Sequence, residues 1–173
     1  DELAELLGTE LPEGDWDTVE RELSARSEQV AGGHGWLAGV GFYELGEVHR
    51  LRGRADEAHE CYARARSFAI QPQPGEAQLL HDQGNTTQAL DALRVALAGA
   101  PPLMKARMLG AATDIALRAH DRQWAESAAA ELEEIANRFG TPGLLAAAAH
   151  AKALCLLATG QPDDAIRLLD GAA

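Results

Sequence analysis

The stretch that decides the fold is Phe42–Ala65, "FYELGEVHRLRGRADEAHECYARA". Large side chains at Phe42, Leu45, His49 and Tyr62 share helical spacing with small ones at Gly46, Ala58 and Ala65. Gly53 interrupts the run, and glycine takes the left-handed conformation that ends a helix. Gly46 and Ala58 are small enough for two helices to approach closely. Phe42, His49 and Tyr62 are left to fill the wedge between this helix pair and the next. The stretch reads as a helix–turn–helix hairpin that must stack on neighbours to bury its apolar face.

The pattern recurs along the chain. A turn residue stands five positions ahead of an alanine at Gly53–Ala58, Gly84–Ala89, His120–Ala125 and Gly160–Ala165, with spacings of 31, 36 and 40 residues. Four positions after each alanine comes another core-type residue: Tyr62, Leu93, Ala129 and Leu169. A weaker copy precedes them at Gly14–Val19, with Leu23. Breakers at Pro12, Gly32-Gly33, Pro72, Pro74, Pro101-Pro102, Pro142 and Gly160 bound the helices. The expected pairs are 2–8 with 16–31, 36–52 with 55–70, 75–83 with 86–99, 102–119 with 122–139, and 143–159 with 162–171. No alternation of strand type appears. Repetition at this period predicts an all-α, right-handed solenoid of about five antiparallel helix pairs. Residues 1–35 form a divergent N-terminal pair and 36–173 an array of about four pairs. The absence of Met at position 1 and the ending "LLDGAA" suggest a piece of a longer chain.

The order large, Leu-Gly, large, turn, Ala, aromatic, Ala from Phe42 to Ala65 resembles the tetratricopeptide repeat. Two positions depart from it. His49 stands where a tyrosine is usual, and Pro72 comes two residues later than the proline that closes such a unit. From Trp36 to Ala173 the chain also resembles the helical repeat region of large actinobacterial LuxR-family transcriptional regulators. That likeness rests on Phe42–Ala65, on "QPQPGEAQLLHDQGNTTQALDALRVALA" and on "AAAELEEIANRFGTP". Its most specific part is the short helix pair behind "QPQPG". The resemblance implies a cytoplasmic, non-catalytic segment that senses an effector or docks a protein. In that family the segment lies ahead of a helix-turn-helix domain and often behind an ATPase domain. This sequence carries neither a Walker A motif nor the DNA-binding domain. The alternative is a free-standing tetratricopeptide adaptor that binds a peptide segment of a partner protein.

Composition agrees with packed helices. Of 173 residues, 46% are hydrophobic but only 5% aromatic, so the core must rest on Leu and Ala. The formal charge of −12 repels phosphate, which argues against direct nucleic-acid binding and against an anionic membrane surface. No apolar run approaches the roughly 20 residues that span a bilayer. Cys61 and Cys155 are far apart and form no CxxC pair, as in a reduced, cytosolic protein.

Motifs of chemistry are sparse. "AGGHGWLAGVG" at 31–41 contains Gly33-x-Gly35-x-x-Ala38, the loosest form of a dinucleotide fingerprint. A helix-like segment precedes it where a strand is required, so it reads as a linker: Gly32 and Gly33 end one helix, and Trp36 and Phe42 begin packing the next. Six histidines show no zinc spacing, and no serine sits in a nucleophile elbow. No catalytic, cofactor or metal residue is nominated. In tetratricopeptide arrays the first helix of each pair lines a concave groove. Carried onto this chain, the groove positions are Tyr43, Glu47 and Arg50, then Gln78, His81 and Asp82, then Arg107, Asp114 and Arg118, and lastly His150 beside Leu154 and Leu157. Arg50, Arg107 and Arg118 fit a carboxylate on a peptide or a small-molecule effector. Alternatively they pair with Glu47, Asp82 and Asp114 and only knit the helices together. A homodimer is a further possibility.

Overall fold

Glycine, proline and short polar turns divide the chain at the expected places. The computed structural model describes residues 15–171, and among them nine helices follow one another with no strand. They are α1 (Trp16–Ala31), α2 (Gly35–Leu51), α3 (Ala55–Ser67), α4 (Gly75–Asp82), α5 (Thr86–Ala98), α6 (Pro102–Arg118), α7 (Arg122–Phe139), α8 (Pro142–Ala158) and α9 (Pro162–Asp170). Each begins and ends within three residues of its expected bounds. The expected helix at 2–8, Pro12 and Gly14 of the weakest repeat copy, and residues 172–173 lie outside the described residues.

The four repeated turns share one hydrogen-bond pattern. At φ +72°, Gly53 donates its N–H to the Arg50 carbonyl (3.0 Å), while Arg54 donates to the His49 carbonyl (2.9 Å). This pair of bonds is the Schellman closure, which satisfies carbonyls the helix end leaves open. Gly84 with Asn85, His120 with Asp121, and Gly160 with Gln161 repeat it, each first residue having positive φ. The residue after the turn then accepts from the N–H of Ala58, Ala89, Ala125 or Ala165, which starts the second helix. All four alanines are at most 1% exposed.

Two compact units divide between Leu79 and Leu80. In the first, α1 packs on α2 and α2 on α3. Phe42, Tyr43, Leu45, Ala58, Tyr62, Ala65 and Leu79 form its core. Phe42 stacks on Phe68 with ring centroids 5.9 Å apart. Gly46 is small for a definite reason: a Cβ there would lie 2.5 Å from Tyr62 Cε1. Trp36, expected to pack with Phe42, does not join this packing and is 67% exposed in the first turn of α2.

In the second unit, α5 packs on α6, α6 on α7, α7 on α8 and α8 on α9, and α6 also touches α8. Leu93, Leu109, Ala112, Ile115, Leu132 and Ala136 are fully buried there. Thr113, also buried, turns its hydroxyl onto the Leu109 carbonyl (2.9 Å). Leu169, expected in the core, is exposed instead, since no described helix follows α9 to cover it.

Candidate functional site

The expected groove positions lie on α2, α4, α6 and α8. On α2, Tyr43, Glu47 and Arg50 follow at helical spacing and form one assembly. Arg50 grips Glu47 with two bonds, Nε to Oε1 at 3.2 Å and Nη2 to Oε2 at 2.9 Å. From α3, the Tyr62 hydroxyl donates to Glu47 Oε1. Tyr43 is buried, its ring 6.1 Å from that of Tyr62. Gly75, at the start of α4, lies so close that a Cβ would collide with Glu47 Oε1. The Arg50 and Glu47 side chains are only 14% and 20% exposed.

This geometry sets the chemistry of the cluster. Burial first, and then the bond to the Glu47 carboxylate, raise the Tyr62 pKa well above the ordinary phenol value. The hydroxyl therefore stays protonated and serves as a donor. Glu47 is held by a bidentate guanidinium and a phenol, the arrangement that satisfies a buried carboxylate. For Arg50, the structure realises the pairing with Glu47 rather than an arginine left open for a ligand.

Gln78, also in the first unit, is half-buried. Nearby, Glu76 accepts from Arg66 Nη2 at 2.6 Å and from Gln73 Nε2 at 3.2 Å. His49 is buried, as expected of a core histidine, and its Nδ1 has no hydrogen-bond partner among the described residues.

The second unit presents its groove positions differently. His81 Nδ1 stands 3.0 Å from Thr86 Oγ1, and Asp82 is exposed. Arg107 is exposed on α6. Arg118 bonds Asp114 one turn earlier (Nε to Oδ2, 3.1 Å), with side-chain exposures of 63% and 41%. His150 is exposed on α8, beside a half-buried Leu154 and an exposed Leu157. The structure thus brings Tyr43, Glu47 and Arg50 together in one unit and Asp114 and Arg118 together in the other.

Sequence reasoning missed the two residues that complete the first cluster, Tyr62 and Gly75. Tyr62 is legible as a core aromatic, but nothing in its spacing announces a hydroxyl aimed at Glu47. It also missed the Arg94 guanidinium, which lies 4.5 Å over the Trp124 ring and bonds Asp121 at 3.1 Å. Both cysteines are free thiols. Burial pushes the Cys61 pKa up to about 11, and burial raises that of Cys155 too. Among the described residues no three His, Cys, Asp or Glu side chains gather as metal ligands, and no helix is long and apolar enough to cross a membrane.

Fold and site together define an all-α chain, nine consecutive helices among the described residues. Comparison with known proteins finds no matching family model, no similar curated protein and no similar solved structure.

Proposed function

We propose that the chain is a non-catalytic binding module. In this reading its hairpins are tetratricopeptide-like repeats of a right-handed solenoid. The module is the effector-sensing or protein-docking region of a LuxR-family-like transcriptional regulator. The observation that carries the reading is the turn that recurs at Gly53, Gly84, His120 and Gly160. Each time, the same two closing bonds are followed by a buried alanine. One turn geometry made four times from divergent sequence is what a repeat array requires. The regulator assignment rests on the resemblance of Trp36–Ala173 alone.

Binding falls to exposed polar positions on the first helices, since the Glu47–Arg50 pair is already committed to Tyr62. Arg118 is the leading candidate. Its partner Asp114 is on its own helix and half-exposed, so a ligand carboxylate can exchange with it at small cost. Titrating a library of carboxylate-rich peptides into the chain by calorimetry tests this. Arg118→Ala is expected to weaken binding by about tenfold, the loss of one charge-assisted pair. If Arg50→Ala and Arg118→Ala both leave binding unchanged, the assignment of the first-helix positions is wrong. The native reading frame tests the regulator part. A helix-turn-helix domain encoded downstream supports it, and a frame that stops near Ala173 without one leaves the free-standing adaptor.

A further inference from the structure

We propose that α1 is a charge-latched cover, which lifts off α2 and α3 when its ion pairs are weakened and so uncovers Cys61. The proposal goes beyond the binding reading and rests on contacts inside the first unit alone. The apolar anchorage of α1 is thin. Ser27 is its one buried residue, whereas α2 buries eight and α3 four. Leu23, Val30 and Ala31 are only partly buried where they pack against the core. Ser27 sits where α2 carries no side chain, since a Cβ on Gly41 would collide with its Oγ. That hydroxyl donates within α1 itself, to the Leu23 carbonyl at 2.7 Å.

Charge supplies the rest of the tie. Arg52, in the turn after α2, bonds Asp17 at 2.6 Å and Glu20 at 2.7 Å. Arg54, just before α3, bonds the same Glu20 carboxylate at 2.8 Å. Arg64, on α3, bonds Glu28, its guanidinium carbon 3.7 Å from the centre of the Phe42 ring. In these pairs every carboxylate comes from α1, and every arginine from α3 or the turn before it, 32 to 36 residues away in sequence. With side chains 22% to 78% exposed, the pairs are open to screening by salt. A helix held in this way opens at a lower free energy than the core beneath it, and opens as a unit. Cys61 makes the opening visible. It stands three residues before Arg64, so the side of α3 that reaches Glu28 also carries the thiol. It is 8% exposed; burial dominates its ionisation, and Arg64 and the α1 carboxylate Glu20 act on it too.

Alkylation of the 173-residue chain by N-ethylmaleimide tests the proposal, with Cys155→Ala so that Cys61 is the one thiol. The reagent is uncharged, which keeps salt from acting on its approach to an acidic chain. Each rate is referred to that of the urea-unfolded chain at the same salt. From about 0.01 M to about 1 M sodium chloride the screening length falls from about 30 Å to about 3 Å. Over that range the Cys61 rate should rise about tenfold. Glu20→Gln, which removes the carboxylate shared by two arginines, should raise the low-salt rate by a similar factor and flatten the salt response. Because the opening is local, the rate should respond to dilute urea with a slope well below that of global unfolding. A rate indifferent to salt overturns the proposal, as does one that rises with salt equally in Glu20→Gln. A urea slope equal to that of global unfolding overturns it too, since the thiol then opens only with the whole chain. Peptide binding is read separately through Arg118→Ala, so either idea can fail without the other.

Discussion

Arg50 and Arg118 make the same kind of bond at the same stage of a hairpin. Each stands near the end of a first helix and reaches back to a carboxylate three or four residues earlier. Yet the first pair is mostly buried and the second is largely exposed. The difference comes from the second helix. α3 brings Tyr62 onto Glu47, and the start of α4 lays Gly75 against the same oxygen. Among the described residues, only Arg118 bonds Asp114. The strength of an ion pair in this chain is thus set by what crosses onto it, and not by the pair itself. A structural role fits the Glu47 cluster, and an exchangeable role fits Arg118.

The largest expected effect tests the close packing that makes the first arrangement possible. Gly46→Ala places a Cβ against the Tyr62 ring, whose position α2 and α3 both constrain. It should destabilise the chain by about 3 kcal/mol, the cost of overpacking a filled core. Gly110→Ala is the counterpart in α6, where an added Cβ meets nothing within 4 Å. There the better helix propensity of alanine should add about 0.5–1 kcal/mol. Urea unfolding followed by circular dichroism measures both. Equal losses at the two positions would remove the distinction between a glycine required by packing and one merely tolerated.

Next come the arginines themselves. Arg50→Ala leaves Glu47 mostly buried with one partner fewer and should cost about 1–3 kcal/mol of stability. Arg118→Ala removes an exposed pair and should cost no more than about 0.5 kcal/mol. Tyr62→Phe sharpens the contrast. If the phenol is what orders Glu47, then Arg50→Ala made in the Tyr62→Phe background should show a coupling of about 1 kcal/mol. Additive losses would mean that Tyr62 and Arg50 act on Glu47 independently.

The helices were readable because their boundaries depend on local chemistry. Proline at the first helical position, glycine after the last and alanine five residues beyond each turn all act within a few residues of themselves. Even His120, which carries no glycine signal, is legible through Ala125 and through its place in the series. The Glu47–Arg50 pair was legible as well, being a three-residue helical spacing. What was not legible depends on which face another helix turns inward. Tyr62 reaches Glu47 only because Gly46 lets α3 lie close, and Gly75 matters only because α4 starts beside that carboxylate. Leu169 failed as a core residue for the related reason that its burial depends on an element beyond its own hairpin.

A further small effect compares the turns. Three of the four repeated turns use glycine at positive φ, and the fourth holds His120 at φ +60° with the same two closing bonds. A side chain in this conformation brings its Cβ near the following carbonyl, a cost of about 1–2 kcal/mol that glycine escapes. Glycine in turn has more freedom to lose on folding, which offsets part of the gain. His120→Gly should therefore raise stability by only about 0.5–1 kcal/mol, visible as a small rise in the urea midpoint at unchanged slope. Gly160→Ala, which forces a Cβ into the same conformation in the next turn, should lower the midpoint by a similar amount. If His120→Gly is instead destabilising, the imidazole contributes an interaction of its own at the α6–α7 turn. The four turns would then be alike in backbone but not in what holds them.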